Sequence, residues 1–324
     1  MLPGVDGVTD IRGTKGDDMK ATTIKALATA TVAVCLLSSA AMAQGAGRLD
    51  KIRETGAIAL GFPETSVPFA YLDASQKPIG YSVEICEQVV QAVRTALKLP
   101  KLEIRYVPIT SATRIQLLAN GTIDLECGNT TNNVERHKLV DFAPTTFVAQ
   151  VVLVARKNGG VDVNDPNSFR GKAIAAQAGG QTFKVITLIN AKSNLGITVV
   201  PGKDTAETFL MLSTGRVAGT ANDDGLAYAT VATSRTPDDF VIGSKGLETA
   251  PYGIVEPKDD PAFKKVVDEA VIDMMKNGRI AALYEKYFNS PIPPHGLNLK
   301  FPMSAALKRA LANPTDSGDP AAYE

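Results

Sequence analysis

Short apolar runs alternate with amphipathic segments along most of this chain. The first set, between residues 57 and 128, reads AIALGF, SVEICEQVVQAVRTAL, EIRYVPI, SATRIQLLANG and TIDLECG. In the second of these segments the apolar residues recur at the spacing of one helix face: Val83, Cys86, Val89, Val90 and Val93. Strands that alternate with helices in this way predict a parallel sheet covered by helices.

The same alternation restarts further along the chain, between residues 173 and 243. We therefore predict an α/β protein of two parallel-rich lobes, joined by crossing strands near 147–151 and 245–252. A hinged cleft between the lobes would hold the ligand. The predicted segments are an upstream extension with a signal peptide (1–43), the first part of lobe 1 (44–147), lobe 2 (148–246), the second part of lobe 1 (247–290) and a tail (291–324). We expect one short helix in the tail and a mobile end.

The N-terminal region has the features of a secretory signal peptide. Lys20 and Lys25 precede the apolar run 26–37, and small residues follow it, so cleavage is expected after Ala43. The sequence leaves open whether translation starts at the first methionine or at Met19. No apolar stretch of about 18 residues follows the cleavage site, so we expect the mature chain not to span a membrane.

Two cysteines, Cys86 and Cys127, remain after the predicted cleavage. Export to an oxidising compartment permits a disulfide between them. The sequence does not bring their α-carbons within bonding range, so two small buried thiols are the preferred expectation and the disulfide is the alternative.

Several function classes are disfavoured by the composition. Lysine plus arginine and aspartate plus glutamate are balanced at 34 each, and no basic stripe with interleaved aromatics suggests a nucleic-acid partner. The only histidines are His137 and His295, without HxxxH or CxxC spacing, so no metal or cofactor is expected. The sequence also has no GxSxG motif, no phosphate-binding loop and no GxGxxG after a strand, and we predict a protein that is not an enzyme.

Two polar loops at strand ends are the best candidates for a binding site. PITSATRIQLL and ECGNTTNNVER each leave a strand and enter a helix, where free backbone N–H groups and hydroxyls can receive an anion. Arg114, expected one turn into its helix, can offer a bidentate guanidinium to a carboxylate. Ser111 and Thr131 lie in the neighbouring loops.

Several stretches resemble the periplasmic glutamate/aspartate-binding proteins of ABC importers, within the wider polar amino-acid-binding family. They are TSVPFAYLD, GYSVEICEQVV, PITSATRIQLLANGTIDLECGNTTNNVERHK, ANDDGLA, DDPAFKK and NSPIPPHGLNLKF. The similarity extends over residues 49–311. It implies the type II periplasmic-binding-protein fold, a monomer that captures an amino-acid-like ligand, and an inner-membrane ABC permease as partner.

The resemblance also implies roles for individual residues. Arg114 matches the family's arginine for the ligand α-carboxylate, supported by Ser111 and Thr131. Asp223 matches the aspartate that accepts the α-ammonium group.

Other positions depart from the family's pattern for acidic ligands. Pro63 replaces an arginine, Thr205 replaces a histidine and Asn129 replaces a serine. The family's hydroxyl-rich turn is represented by Ala178, Gly179, Gly180 and Gln181. The clamp for a side-chain carboxylate is therefore expected to be lost and the distal pocket to be roomier. We predict a neutral polar amino acid such as glutamine, or a γ-glutamyl compound such as glutathione.

Three alternatives stay open at this point. Glutamate or aspartate could bind if another cation has moved in, with Lys203 as the candidate. An enzyme of the periplasmic dehydratase type could share the scaffold, with Glu64 or Glu126 as its acid. A ligand-sensing partner of a membrane receptor would leave no trace in the sequence.

Overall fold

The computed structural model describes residues 47–294 and 296–324. The predicted signal peptide, the cleavage site after Ala43 and the side chain of His295 lie outside this part of the chain. Within it, every helix is too short or too polar to cross a lipid bilayer.

The first sheet is assembled from two separate segments of the chain. In spatial order its strands are β5 (Glu103–Pro108), β1 (Ala57–Phe62), β6 (Leu125–Glu126), β14 (Val255–Pro257) and β7 (Val140–Phe142). Strand β1 runs parallel to β5 and β6, whereas β14 is antiparallel to β6 and β7. A small antiparallel sheet beside it contains β2 (Thr65–Ser66), β3 (Ala70–Leu72) and β4 (Pro78–Ile79).

The second sheet lies between these two segments in the sequence. In spatial order its strands are β10 (Thr198–Gly202), β9 (Ala173–Gln177), β11 (Gly219–Asp223), β8 (Phe147–Arg156) and β12 (Phe240–Ile242). Strand β9 is parallel to β10 and β11, and β8 is antiparallel to β11 and β12.

A two-stranded crossing connects the sheets. The first residues of β8 pair with β13 (Thr249–Tyr252), and the later residues of β8 enter the second sheet. An aromatic cluster packs at the base of this crossing. Phe147 lies 4.8 Å from Phe69 and 5.2 Å from Phe288, measured between ring centroids. The predicted bilobed α/β fold with two crossing strands is confirmed.

Helices cover both sheets. They are α1 (Arg48–Thr55), α2 (Tyr81–Ala96), α3 (Arg114–Ala119), α4 (Gln181–Ser193), α5 (Thr205–Ser213), α6 (Asp224–Ala232), α7 (Pro261–Lys276), α8 (Arg279–Phe288) and α9 (Ala305–Ala312). The predicted apolar stripe of α2 is fully buried in the first lobe's core. Arg114 is the first residue of α3, so its expected place one turn into the helix was wrong.

The preference for two free thiols was also wrong. Cys86 of α2 and Cys127, directly after β6, form a disulfide with their α-carbons 6.1 Å apart. This separation lies within the usual range for a disulfide. The helix brings Cys86 onto the strand end, a contact that local sequence patterns do not encode.

The C-terminal tail is packed, contrary to the expected mobile end. Tyr323 is buried, and its hydroxyl lies 2.7 Å from the Thr145 hydroxyl. The carbonyl of Asp316 accepts a hydrogen bond of 2.8 Å from the Asn132 side chain. The tail therefore covers the loop that precedes the crossing strands as well as the polar loop after β6.

Candidate functional site

Two neighbouring cavities lie where the carboxyl ends of strands from both sheets meet. The inner cavity measures about 10 Å³ and is lined by Ser111, Arg114, Asn129, Thr131, Gln177, Gly180, Gln181, Thr182, Asn222 and Asp223. The outer cavity measures about 290 Å³ and is lined by Pro63, Glu64, Ser66, Pro108, Ile109, Thr110, Ser111, Thr113, Arg114, Leu117, Glu126, Gln177, Lys203 and Asp204. Ser111, Arg114 and Gln177 belong to both, so the two cavities form one continuous candidate site.

Most of the residues selected from the sequence come together at the inner cavity. Among the predicted ligand contacts, Pro63 and Thr205 do not line it, and neither do the turn residues Ala178 and Gly179. Pro63 lines the outer cavity, while Thr205 is buried and accepts a hydrogen bond of 2.6 Å from Gln177. The roles of these residues as ligand contacts stay predictions.

Arg114 supplies a buried positive charge to both cavities. It begins α3 directly after the loop that follows β5, and only 4% of its surface is exposed. Within residues 47–294 and 296–324, its Nε atom has no hydrogen-bond partner. Burial lowers the pKa of Arg114, and the Glu126 and Asp223 carboxylates oppose this shift. A guanidinium with an unused N–H is suited to receive a carboxylate.

Asp223 supplies a buried carboxylate on the opposite side of the inner cavity. It ends β11, and the Tyr252 hydroxyl donates a hydrogen bond to its Oδ2 atom. Its Oδ1 atom has no hydrogen-bond partner among the described residues. Burial raises the pKa of Asp223 to about 7, despite opposing effects from the Tyr252 hydrogen bond and nearby Arg114. This oxygen is suited to accept an N–H bond from an ammonium group.

Arg136 belongs to the polar loop beside the inner cavity and was not among the predicted site residues. Its guanidinium donates to the Thr131 carbonyl at 2.6 Å and to the Gly179 carbonyl at 3.4 Å. Burial lowers its pKa to about 9, and the nearby Arg114 cation adds to this shift. Arg136 therefore fastens the polar loop of the first lobe to the turn after β9. Its position at the end of the polar motif ECGNTTNNVER was the sequence feature that could have indicated a role near the site.

Further hydrogen bonds join the lobes across the cleft. The Ser111 hydroxyl donates to Gln177 Oε1 at 2.8 Å, and the Asn133 amide donates to Gln181 Oε1 at 3.0 Å. Lys184 pairs with Glu135 at 2.5 Å on the rim. These contacts describe a closed cleft.

Gln177 was not predicted as a site residue, because it ends an apolar strand and has no distinctive spacing.

Glu126 is the most deeply buried charged group of the outer cavity. It has no exposed surface, and neither carboxylate oxygen has a hydrogen-bond partner in the described part of the chain. A Cβ built on Gly128 would lie 2.5 Å from Glu126 Oε1 and 2.8 Å from Pro63 Cδ. The loop after β6 thus needs glycine at 128, and Pro63 and Glu126 are close neighbours beside it.

A metal centre finds no support in this arrangement. Across residues 47–294 and 296–324, no group of three or more histidine, cysteine, aspartate or glutamate side chains could hold a metal ion. The charged groups of the cleft are instead distributed over its two sides, which suits a small ligand carrying both charges.

The family model for bacterial extracellular solute-binding proteins, family 3, matches residues 58–290. This chain belongs to that family. The match covers both sheets and the cleft between them.

Two curated relatives extend the similarity to almost the whole chain. The L-glutamate/L-aspartate-binding protein of Pseudomonas aeruginosa is 43% identical over 90% of this chain and 96% of its own length. The glutamate/aspartate import solute-binding protein of Escherichia coli is 36% identical over 89% of this chain and 97% of its own length.

Solved structures give the same fold. A mutant of ArgBP from T. maritima aligns with a TM-score of 0.67 at 26% identity, covering 74% of this chain and 98% of that one. A solute receptor for L-cysteine from Neisseria gonorrhoeae aligns with a TM-score of 0.64 at 25% identity, covering 75% of this chain and 93% of that one.

Membership of family 3 defines the general function. The chain is an amino-acid-binding periplasmic solute-binding protein for ABC import, and its partner is an ABC permease. The relatives are binding proteins, so the chain is not an enzyme, and the dehydratase alternative has no support.

Proposed function

We propose that this solute-binding protein captures a neutral polar amino acid such as glutamine, or a γ-glutamyl compound such as glutathione, in preference to free glutamate or aspartate. The residues that line the inner cavity, with Arg114 and Asp223 as the charged pair, would bind the α-groups of the ligand. The outer cavity would hold its distal group.

The inner cavity supplies complementary charges for the α-groups. The α-carboxylate would bind the Arg114 guanidinium, with Ser111 and Thr131 beside it. The α-ammonium would bind Asp223, whose Oδ1 atom has no partner among the residues described. Because these contacts come from both lobes, the ligand stabilises the closed form and shifts the population toward it.

The charge of the outer cavity is the observation that carries the choice of ligand. Its acidic side chains are Glu64, Glu126 and Asp204, and its basic side chains are Arg114 and Lys203. Arg114 is assigned to the α-carboxylate, and Lys203 is exposed to solvent. No buried cation among the lining residues is left for a distal carboxylate.

The energetic consequence is large compared with the affinity of a transport receptor. A charge buried without a partner costs on the order of several kcal/mol. Micromolar binding corresponds to only about 8 kcal/mol in total. Enclosing a glutamate side chain beside Glu126 would therefore remove a large share of the binding free energy, whereas a neutral amide avoids this cost.

Glutamate or aspartate binding with a substitute cation is the second candidate. It is favoured by the relatives in Pseudomonas aeruginosa and Escherichia coli, which are named as glutamate/aspartate-binding proteins. Lys203 lines the outer cavity and is the residue that would have to reach the distal carboxylate.

Export and assembly complete the proposal. The chain would be secreted by its N-terminal signal peptide, cleaved after Ala43, and act as a monomer without binding nucleic acid. The mass of the protein from a periplasmic extract gives the cleavage site, and light scattering of the same sample gives the oligomeric state.

A thermal unfolding panel tests the choice of ligand. The periplasmic protein would be melted with each common amino acid, several D-enantiomers and γ-glutamyl compounds at about 1 mM. A micromolar ligand at a thousandfold excess adds about 4 kcal/mol of stability, which is a shift of several degrees. We expect glutamine or a γ-glutamyl compound to give the largest shift. A larger shift with glutamate or aspartate would favour the second candidate.

A further inference from the structure

Glu126 lines the outer cavity, and among the described residues no well-formed hydrogen bond reaches either of its carboxylate oxygens. The carboxylate is fully buried at the end of β6. Thr130 and the Gly128 N–H are near enough to act on the carboxylate, yet neither completes a hydrogen bond to it. Within the described residues, the Thr130 hydroxyl also has no partner of its own.

Buried polar groups in proteins almost always have hydrogen-bond partners. A buried carboxylate without donors is costly, and a ligand that brings N–H groups removes that cost when it binds. A ligand that brings another carboxylate adds repulsion. An apolar side chain or an ester leaves the Glu126 oxygens without donors.

Burial raises the pKa of Glu126, and the positive charges of the Arg114 and Arg136 guanidinium groups oppose this shift and favour the charged form. A third cation is therefore not needed to balance the carboxylate, and a neutral donor suits this position better than a lysine-like or arginine-like side chain.

We infer that Glu126 is a specificity-determining residue that accepts N–H hydrogen bonds from a carboxamide at the distal end of the ligand. This inference rests on the proposed function and narrows it to ligands whose distal group carries an amide N–H. Glutamine has two such hydrogens, and a γ-glutamyl amide has one.

The first test uses the wild-type protein and two neutral ligands that differ in their distal group. Glutamine carries N–H donors at its distal end, and the γ-methyl ester of glutamate carries none. We expect glutamine to bind at least about tenfold more tightly by calorimetry, since a hydrogen bond to a charged group accounts for a factor of this size or more. Equal affinities would overturn the role of Glu126 while leaving the preference for neutral ligands intact.

The second test exchanges the acceptor. A glutamine at 126 offers a donor as well as an acceptor, so Glu126→Gln should weaken glutamine binding and strengthen glutamate binding. We expect each affinity to change by about tenfold, so the ratio of the two affinities changes by about a hundredfold.

Glu256→Gln is the matched control. Glu256 is also fully buried and has one oxygen without a partner in the described chain, but it pairs with Lys264 and lines neither cavity. It should leave the ratio of glutamine to glutamate affinity unchanged. The same change of ratio in both variants, or in neither, would contradict the inference.

Different affinity results would contradict the proposed function and the role of Glu126. If wild-type protein binds glutamate more tightly than any neutral ligand, the proposed function is wrong. If it binds glutamine and Glu126→Gln leaves the ratio unchanged, only the role of Glu126 is wrong. Should Glu126→Gln not fold, the comparison of glutamine with the ester on the wild-type protein decides alone.

Discussion

The inner and outer cavities of the cleft differ in how completely their charges are matched. At the inner cavity, Arg114 and Asp223 are opposite charges, each with one atom still available for a hydrogen bond. At the outer cavity, Glu126 is buried without a hydrogen-bond partner in the described part of the chain, and the nearby position 63 is a proline. The inner cavity suits the α-groups that all amino acids share, whereas the outer cavity selects among side chains. Recognition of the shared α-groups and selection among side chains are thus assigned to two neighbouring parts of one site.

Loss of Arg114 should have the largest effect, because every amino-acid ligand has an α-carboxylate. We expect Arg114→Ala to weaken binding of all ligands on the order of a thousandfold, as a buried charge loses its partner. Calorimetry with the best ligand of the panel measures this loss. Arg105→Ala is the control, since Arg105 is exposed and pairs with Glu103 on the surface. Retained affinity in Arg114→Ala would show that the α-carboxylate binds elsewhere.

The disulfide should affect stability and leave the difference between the two cavities unchanged. It closes a loop with a sequence separation of 41. A loop of this length contributes about 4 kcal/mol in the chain-entropy account, so replacing both cysteines by serine should lower the melting temperature by about 10 °C. The ratio of glutamine to glutamate affinity should not move. A changed ratio would mean that the disulfide positions the distal pocket.

A cation at position 63 should reverse the selectivity of the outer cavity. Pro63 and Glu126 both contact the space beside Gly128, so an arginine at 63 can neutralise Glu126 and receive a distal carboxylate. We expect Pro63→Arg to raise glutamate affinity by about tenfold or more. Thr205 is the other predicted departure from the family's pattern, but it is buried and accepts a hydrogen bond from Gln177. The expected gain in glutamate affinity therefore does not require a histidine at position 205.

Pro78→Arg is the control for this change, because Pro78 lies on β4 and lines neither cavity. If Pro63→Arg gives no gain for glutamate over this control, the distal group does not lie next to position 63.

The inner cavity should also show a pH dependence, with a small effect close to neutral pH. Burial raises the pKa of Asp223 to about 7, so the residue becomes protonated below that pH and no longer balances the α-ammonium. Affinity should fall by up to about tenfold for each pH unit below 7 and level off above it. The sign for the ligand-free protein is opposite, because a raised folded-state pKa favours folding at low pH and this contribution is lost as the pH rises through 7. Ligand titrations between pH 5.5 and 8 measure the affinity, and thermal unfolding of the ligand-free protein over the same range measures the stability. A flat affinity profile would contradict the assignment of Asp223.

The sequence predicted the fold well because the apolar stripe of α2 and the short apolar strands are local patterns that indicate the two lobes. For the inner cavity, the sequence was informative through its resemblance to a known family, which implied that Arg114 and Asp223 share one site. It did not predict the disulfide, the packed tail or Gln177. Each of these depends on contacts between distant segments, such as Cys86 with Cys127 or Tyr323 with Thr145.

For the outer cavity, the sequence indicated only the loss of a cation. Pro63 indicated that a cation was gone, but the consequence for Glu126 required the packing of the loop around Gly128. A missing charge is visible in a sequence, whereas the burial of the charge left behind is visible only in the structure.

The dissociation constants of glutamine and glutamate for the wild-type protein, measured by calorimetry at pH 7.5, test the central claim most directly. We expect glutamine to bind with micromolar affinity and glutamate to bind at least about tenfold more weakly, since Glu126 faces the distal group. Tighter binding of glutamate would contradict the account and would require a cation to reach the outer cavity.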